Sequence, residues 1–274
     1  MQDKVILVTG STDGIGKQTA LELARTGGTV LLHARSPERG QLALEAVRAA
    51  SGSSRLDLFI ADLSSQKQVR RLAAEVSAKY DRLHVLINNA GTFMPQRTLT
   101  EDGLETTFAV NHLAPFLLTR LLLDRLKQSA PARIITVSST LHQRAQVDFN
   151  NLQGDKHYSP TYAYNLSKLG NVLFTVELAD RLRGTGVTAN CLHPGAIDTK
   201  LLHLAVRGLA GETVVAGAAT SVYLATSPDV AATTGLYFEA RRPVNASPLA
   251  RDHELRRRFW EVSCELVGLG PNFT

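Results

Sequence analysis

Short apolar segments alternate with longer amphipathic segments along most of this chain, and this alternation restricts the possible folds more than any other feature. The short runs are rich in β-branched residues, and the longer ones have helical periodicity. Strand and helix repeated in this way indicate βαβ units and a parallel sheet. Because the strands are almost continuously apolar, we expect helices on both faces of the sheet. Seven strands are predicted, at 4–10, 29–35, 56–63, 84–91, 133–139, 188–195 and 234–240.

These elements predict one α/β domain, a single doubly wound Rossmann domain with a mainly parallel sheet that spans 1–274. A chain of 274 residues is long enough to build one large core. Two segments depart from the alternation: an inserted polar loop at 140–161, and a C-terminal extension at 241–274 that ends in a helix. The other predicted helices cover 15–27, 37–50, 65–79, 101–128, 162–183 and 214–226.

The composition is typical of a soluble globular protein. Charged residues make up 20% of the chain, and its net charge of +5 is too modest to indicate a nucleic-acid partner. No apolar run approaches the roughly 18 residues of a membrane-spanning helix, and the first strand begins too early for a signal peptide. The two cysteines, Cys191 and Cys264, form no disulfide or metal-site pattern, and His193 and His203 lack further ligands at suitable spacing. We therefore expect a cytoplasmic protein with no metal.

A glycine-rich turn, "TGSTDGIG", joins the first predicted strand to the first predicted helix. Its glycines permit a tight turn and the close approach of a pyrophosphate, and the helix N-terminus offers free N–H groups and a positive dipole end. Because the three glycines stand between a strand and a helix, they indicate dinucleotide binding more specifically than glycines alone would. The alternative is a purely structural turn. The expected dinucleotide contacts are Gly10, Ser11, Thr12, Asp13, Gly14, Ile15 and Gly16.

The end of the second strand bears on the choice of cofactor. An NAD site usually has an acidic residue here for the ribose hydroxyls, whereas an NADP site has a cation for the 2′-phosphate. In this chain Ala34 is followed by Arg35 and Ser36, and the nearest following acid is Glu38. We expect NADP (NADPH), bound through Arg35, in preference to NAD. Alternatively, Arg35 only covers the adenine, which would permit both cofactors.

Three tyrosines precede a lysine in "YSPTYAYNLSK", and the spacing distinguishes one of them. Positions i and i+4 share a helix face, and only Tyr164 has a cation, Lys168, at that distance. Pro160 leaves Tyr158 in the loop before the helix. To act as a base near pH 7, a tyrosine needs its pKa lowered by about three units, or roughly 4 kcal/mol. We expect Lys168 and a positively charged nicotinamide to lower the pKa of Tyr164. The alternative is that Tyr164 and Lys168 are a pair on the protein surface without a catalytic role.

Taken together, these motifs resemble the short-chain dehydrogenase/reductase family, and specifically its retinol dehydrogenase-like branch. The glycine turn, "NNAG" at 88–91, "VNHLAPFLLT", "VSS", "YNLSKLGNVLF" and "LHPG" follow one another in the order typical of that branch. The resemblance covers about residues 4–240. It implies a nicotinamide-dependent oxidoreductase with Tyr164 as acid/base.

The resemblance also implies a catalytic set around Tyr164. Ser139 matches the residue that orients the substrate carbonyl, and Lys168 also holds the nicotinamide ribose. Asn111 matches an asparagine at a helix distortion that binds a water for proton relay, although a satisfied core hydrogen bond is the alternative. Ser138 is expected to face away from the site because neighbouring strand residues alternate.

Further cofactor contacts follow from the same resemblance. Asp62 matches the acceptor for the adenine amine, and a helix-cap neighbour is the alternative. Asn88, at the end of the fourth strand, lies near the expected position of the ribose, and the alternative is a structural role in which it ties adjacent strands together. The remaining implied contacts, besides Tyr164 and Lys168, are Leu63, Asn89, Ala90, Gly91, Pro194, Gly195, Ile197 and Thr199.

The expected substrate site lies under a lid at 196–213. Its wall is mostly apolar, which suits a small lipophilic carbonyl or alcohol. The expected reaction is hydride transfer between NADP(H) and such a substrate. Alternatives are a non-catalytic NADP-binding sensor or scaffold protein, and a reductase of carbon–carbon or imine bonds. The resemblance suggests a homodimer through 101–128 and 162–183. The expected wall residues are Phe93, Met94, Leu141, Tyr158, Leu201 and Leu202.

Overall fold

An eight-stranded sheet lies at the centre of the molecule in a computed structural model that describes residues 1–205 and 210–272. Most strand side chains are buried, as expected for a sheet with helices on both faces. In chain order the strands are β1 (Val5–Val8), β2 (Thr29–Ala34), β3 (Leu56–Ile60), β4 (Val85–Asn88), β5 (Ala132–Val137), β6 (Val187–His193), β7 (Tyr237–Glu239) and β8 (Arg242–Val244).

The strand order is β3-β2-β1-β4-β5-β6-β7-β8. All neighbouring strands from β3 to β7 are parallel, and only β8 runs antiparallel to its neighbour. The chain adds β2 and β3 on one side of β1 and then continues with β4 on the other side. Ligands of such folds bind in the crevice where this strand order reverses, between β1 and β4. The predicted doubly wound Rossmann fold is therefore confirmed.

The eighth strand departs from the sequence prediction of seven. It comes from the beginning of the C-terminal extension, and all three of its residues are exposed. It contains Pro243 and pairs with β7 through a turn in which Ala240 and Arg241 have positive φ angles of 44° and 64°. An exposed edge strand with a proline does not need an apolar sequence, so it carries no clear strand signal.

Helices cover both faces of the sheet. Buried residues of α1, α2 and α8 form the core on one face, and those of α3, α5, α6 and α9 form the core on the other. None of the helices in the described residues is long and apolar enough to cross a bilayer. These helices are α1 (Gly14–Arg25), α2 (Pro37–Ser51), α3 (Gln66–Lys79), α4 (Thr106–Phe108), α5 (Ala114–Gln128), α6 (Pro160–Arg181), α7 (Lys200–Ala205), α8 (Val214–Thr226) and α9 (His253–Leu266).

The helix predicted at 101–128 begins later and is interrupted. Glu105 is only 1% exposed, and its carboxylate caps α4 by accepting from the N–H groups of Thr107 and Phe108. A π-helical segment, Ala109–Leu113, then joins α4 to α5. Such π segments widen one turn of a helix and are frequent at functional sites.

The C-terminal helix α9 packs on α6 and closes an aromatic cluster between α5 and α6. Trp260 is 2% exposed, and its ring lies 4.9 Å from that of Phe116 and 6.0 Å from that of Phe174. The Trp260 indole N–H also donates to the carbonyl of Pro271. The extension therefore covers part of the two helices through which the sequence suggests a homodimer.

His112 lies within the same cluster and is fully buried. Its ring is 5.1 Å from the ring of Phe108 and 5.1 Å from that of Phe259, and its Nε2 lies 2.9 Å from the Ser263 hydroxyl. Burial lowers the pKa of His112 to about 3. The imidazole is therefore neutral in the folded protein over the whole range in which a free histidine titrates.

We expect acidification to destabilise the fold through His112. Because its pKa is lowered from about 6.5 in the unfolded chain, the stabilisation is complete above that pH and is lost as the pH falls towards 3. The loss amounts to about 2 kcal/mol of unfolding free energy between pH 7 and pH 5. In urea unfolding, the free energy of unfolding of His112→Phe should decrease between pH 7 and pH 5 by about that much less than the free energy of wild type does. The exposed His157→Gln serves as control, and an unchanged decrease in His112→Phe would contradict the expectation.

Candidate active site

The four side chains predicted to carry catalysis meet at the carboxyl edge of the sheet. Asn111 comes from the π-helical segment, Ser139 follows β5, and Tyr164 and Lys168 lie on α6. All four are buried, with exposures of 0%, 7%, 7% and 4% in that order. The segment between Ser139 and the start of α6 at Pro160 is the expected inserted loop, and its first residues form a short 3-10 helix.

Burial raises the pKa of Tyr164 to about 12, and the nearby Ser139 side chain, which lowers this pKa, only partly opposes the effect. The Lys168 ammonium lies 5.5 Å from the centre of the Tyr164 ring. Without a bound nicotinamide, burial therefore has the largest effect on the phenol pKa, and the expectation that Lys168 and a positively charged nicotinamide together lower it stays a prediction. At neutral pH Tyr164 holds its proton and is suited to donate it.

Lys168 carries a charge at a buried position beside the end of β4. Its Nζ donates to the carbonyl of Val137 at 3.1 Å, and burial lowers its pKa to about 8. The Asn111 Oδ1 and the Lys168 Nζ lie 3.5 and 3.6 Å from the point where a Cβ on Gly91 would stand. Asn111 and Lys168 therefore face the same small space, and the glycine keeps that space open.

The Asn111 amide is tied to the neighbouring backbone and to α6. Its Nδ2 donates to the Thr92 carbonyl at 2.9 Å and to the Ser167 hydroxyl at 3.0 Å, and its Oδ1 accepts from the Thr92 N–H at 2.7 Å. The helix distortion expected at Asn111 is present. The hydrogen bonds of its amide also agree with the alternative to a proton relay, which is a satisfied hydrogen-bonding residue of the core. Its role in a proton relay stays a prediction.

The glycine turn brings α1 against the ends of β1 and β4. Gly10 has a φ of 65°, and a Cβ on Gly16 would stand 2.2 Å from the Gly10 carbonyl and 2.4 Å from the Asn89 Nδ2. Asn89 donates from this amide to the carbonyls of Thr9, at 2.9 Å, and Gly10, at 3.3 Å. The Asn89 side chain therefore holds the turn in shape.

His33 supports the glycine turn from β2, a role that the sequence does not reveal. The Gly10 N–H donates to the His33 Nδ1 at 3.0 Å, so Nε2 carries the proton and donates to the Ala61 carbonyl at 3.0 Å. The His33 backbone N–H also donates to the Ser11 hydroxyl at 2.9 Å. The Ser11 side chain therefore faces the strand. Burial lowers the pKa of His33 to about 4, which keeps Nδ1 free to accept.

Asp13 links the glycine turn to two cations. One carboxylate oxygen accepts from the Gly14 N–H and caps α1, while the other lies 2.7 Å from the Lys200 Nζ and 3.4 Å from Arg39. The hydrogen bond from Lys200 is the main cause that lowers the pKa of Asp13. Lys200 begins α7, so this contact ties the start of the expected lid to the turn.

The residues at this edge fit a dinucleotide with a 2′-phosphate. The turn at Gly10 and Gly16 leaves the N-terminal end of α1 close to the end of β1, which suits a pyrophosphate. At the end of β2, Arg35 is exposed, and Arg39 adds a second exposed cation that sequence reasoning missed. Two cations at this position suit a phosphate dianion rather than a bare ribose hydroxyl.

Two of the other expected contacts have structural partners. The Asp62 Oδ1 accepts from both the N–H and the hydroxyl of Ser64, which agrees with the helix-cap alternative, and both bonds use the same carboxylate oxygen. The Asn88 Nδ2 donates to the Thr119 hydroxyl at 3.0 Å, which agrees with a structural role. Leu63 is buried beside Asp62.

The segment after β6 contacts the glycine turn, as expected for residues that border the nicotinamide. The Thr199 Cγ2 lies 3.2 Å from the point where a Cβ on Gly14 would stand, and Ile197 is buried. Gly195 has a φ of 102°, which turns the chain sharply after Pro194. Similarly, a Cβ on Gly10 would stand only 2.9 Å from the Cα of Ala90.

The expected substrate wall is brought together only in part. The Phe93 ring lies 5.8 Å from the Tyr164 ring, and the Tyr158 hydroxyl donates to the Met94 carbonyl at 2.8 Å. Tyr158 therefore supports the wall next to Tyr164. Residues 206–209 of the expected lid lie outside the described residues. The half-buried members of the expected wall are Leu141, Leu201 and Leu202.

Comparison with known proteins points to one family. A family model for short chain dehydrogenases matches residues 4–208. Retinol dehydrogenase 12 of Bos taurus is 43% identical to this chain over 97% of the chain and 87% of that protein. Retinol dehydrogenase 14 of Homo sapiens is 42% identical over 98% of the chain and 88% of that protein.

Solved structures agree with these sequence matches. An uncharacterized protein from Mycobacterium paratuberculosis superposes with a TM-score of 0.82 at 30% identity, over 99% of this chain and 96% of that chain. A short chain dehydrogenase from Escherichia coli CFT073, complexed with NADPH, has a TM-score of 0.74 at 26% identity, over 88% and 98% of the two chains.

The buried charge of Lys168 should cost stability. Its pKa is lowered from 10.5 to about 8, so the folded state loses about 3 kcal/mol below pH 8, and this cost disappears as the pH rises through 10.5. Lys168→Met should therefore raise the free energy of urea unfolding at pH 7 by up to about 3 kcal/mol. The Val137 carbonyl would keep its hydrogen bond from Asn171, at 3.3 Å.

The same substitution should abolish turnover, because it removes the cation beside Tyr164. The exposed Lys67→Met is the matched control and should change the unfolding free energy by less than about 0.5 kcal/mol. A Lys168→Met protein less stable than wild type at pH 7 would show that the charge is better compensated than its burial indicates.

Proposed function

Because the chain belongs to the short-chain dehydrogenase family, in its retinol dehydrogenase-like branch, we propose that it is an NADP(H)-dependent oxidoreductase of lipophilic carbonyls and alcohols. The observation that supports this most is the buried group of Ser139, Tyr164 and Lys168, in which the Ser139 side chain lowers the pKa of the Tyr164 phenol and the Lys168 ammonium lies beside the Tyr164 ring. In this arrangement a proton donor and an orienting hydroxyl converge where a carbonyl oxygen can be held.

In the proposed reduction, Tyr164 gives its phenolic proton to the carbonyl oxygen as the carbonyl carbon is reduced to an alcohol. Ser139 orients that oxygen through its hydroxyl, where negative charge develops. The phenolate left on Tyr164 is stabilised by the Lys168 ammonium, since a nearby cation acts strongly at a buried site. Alcohol oxidation is the reverse, with the phenolate as the base.

The bound nicotinamide would supply or accept the hydride. The N-terminal end of α1 and the glycine turn would hold the pyrophosphate, and Arg35 and Arg39 would hold the 2′-phosphate. Two arguments support NADP(H) over NAD(H): Arg35 follows β2 where an NAD site has an acid, and two similar dehydrogenases are complexed with NADPH and NADP. With a pKa of about 12, Tyr164 holds at neutral pH the proton that the reductive reaction requires.

The proposed substrate is a lipophilic aldehyde, ketone or alcohol. Phe93 beside Tyr164 offers an aromatic surface, and the retinol dehydrogenases to which the chain is similar are named for a long apolar alcohol. These features support an apolar chain next to the reacting carbonyl.

Replacement of Tyr164 by phenylalanine should remove the proton donor. With decanal and all-trans-retinal as probes and NADPH or NADH as reductant, we expect kcat of Tyr164→Phe to fall by about 10²–10⁴-fold. NADPH binding, measured by fluorescence titration, should remain within about threefold of wild type. Tyr162→Phe, the same change half a turn away on α6, is the control and should retain turnover.

Three outcomes would count against this proposal. Undiminished turnover of Tyr164→Phe would remove Tyr164 from its role. A wild type that binds NADPH but reduces no member of a broad carbonyl panel would favour the non-catalytic sensor or scaffold. Turnover of conjugated alkenes or imines in the absence of carbonyl reduction would favour the other reductase class.

Arg35 should determine the preference for NADPH over NADH. A charged hydrogen bond contributes about 1.5–3 kcal/mol, so Arg35→Ala should weaken NADPH binding by about 10–100-fold and NADH binding much less. Dissociation constants for both cofactors give the ratio. Arg48→Ala, an exposed arginine at the other end of α2, is the control. Equal weakening of both cofactors by Arg35→Ala would instead fit an arginine that only covers the adenine.

A further inference from the structure

One buried histidine connects the C-terminal extension to the serine of the candidate active site. His142 lies in the 3-10 helix Thr140–Arg144, directly after Ser139, and is fully buried. Its Nδ1 lies 2.6 Å from the Ser139 carbonyl oxygen. Its Nε2 lies 3.0 Å from the backbone nitrogen of Ser247, which is 105 residues further along the chain.

These contacts determine which ring nitrogen of His142 carries the proton. A backbone N–H can only donate, so the Nε2 that faces Ser247 accepts and is unprotonated. The proton is then on Nδ1, which donates to the Ser139 carbonyl. Burial is the main cause that lowers the pKa of His142, and this favours the neutral imidazole that the bond to Ser247 requires.

The surroundings hold the imidazole and the extension together. The His142 ring lies 4.5 Å from the ring of Tyr237 in β7. Next to it, the Gln143 Nε2 donates to the Asn245 carbonyl at 3.0 Å. The short helix after Ser139 is therefore bonded on one side to residues 245–247 of the extension.

This bracing matters because the same turn orients the Ser139 side chain. The Leu141 N–H donates to the Ser139 hydroxyl at 3.3 Å, and the His142 N–H donates to the Ser139 carbonyl at 3.1 Å. A shift of the turn would move the Ser139 hydroxyl relative to Tyr164, whose pKa the Ser139 side chain lowers. Misplacement of a reacting group by about 1 Å can cost about 10²-fold in rate.

We propose that His142 is a positioning residue for Ser139, and that the C-terminal extension contributes to catalysis through the Ser247 N–H without touching the substrate. This inference rests on the proposed function, because it requires Ser139 to orient a carbonyl. It assigns a catalytic contribution to a segment outside the βα repeats of the fold.

Ser247→Pro tests the bond directly because it removes the N–H donor to His142. Ser247 has φ −49° and ψ 138°, a conformation close to that of proline and compatible with the proline that follows it. With decanal and NADPH, we expect kcat to fall by about 10–100-fold. KM for NADPH should stay within about twofold of wild type. Ser247→Ala is the matched control, because it removes the hydroxyl but keeps the N–H, and it should lose less than about threefold.

A second variant keeps the test informative if Ser247→Pro folds poorly. His142→Phe preserves a ring against Tyr237 but leaves the Ser247 N–H without its acceptor. The double variant removes both partners, and a loss through one shared bond is not multiplied. We therefore expect the kcat of the double variant to be no lower than the kcat of whichever single variant is the less active. A loss equal to the product of the two single losses would overturn the inference.

Hydrogen exchange gives a measurement that does not depend on turnover. Exchange of the amides in 139–145 should become faster in Ser247→Pro and remain as in wild type in Ser247→Ala. Equal exchange and equal kcat in the two Ser247 variants would overturn the positioning role. A wild type that reduces no carbonyl would instead overturn the proposed function, and the exchange rates alone would then decide whether Ser247 holds the turn.

Discussion

Parallel strands must all end at the same edge of a sheet, and the candidate site depends on this constraint. The glycine turn follows β1, Arg35 follows β2, Gly91 follows β4, and Ser139 follows β5. Backbone pairing across the sheet fixes the spacing of these strand ends. Groups that are far apart in the chain are thereby brought to one edge, where α6 adds Tyr164 and Lys168.

Local patterns in the sequence were enough to predict the sheet type and the pair of Tyr164 and Lys168, whereas Asn111 and Ser139 were expected from the resemblance to the family. Tyr164 and Lys168 follow from helical geometry, and Asn111 and Ser139 from a motif order that the family match now supports. The later start of the α4 helix depends on Glu105, a buried cap with no distinctive local pattern. The eighth strand was missed because an exposed edge needs little apolar sequence.

Other features of the site could not be predicted because they depend on burial and on distant contacts. His33 reaches Gly10 across 23 positions, and His142 reaches Ser247 across 105. The pKa of Tyr164 reflects how much water the fold removes from the phenol, which the i+4 spacing of Tyr164 and Lys168 does not contain. A spacing rule identifies the partners of a group, whereas its protonation depends on the complete surroundings.

The position of α9 in the chain has a consequence for synthesis. The aromatic cluster around His112 needs Phe259 and Trp260, which follow all strands and all other helices in chain order. A nascent chain that has already formed the sheet therefore still exposes the apolar sides of α5 and α6. Those surfaces are available to chaperones or to aggregation until α9 emerges from the ribosome, and the segment that supplies the Ser247 N–H emerges just before it.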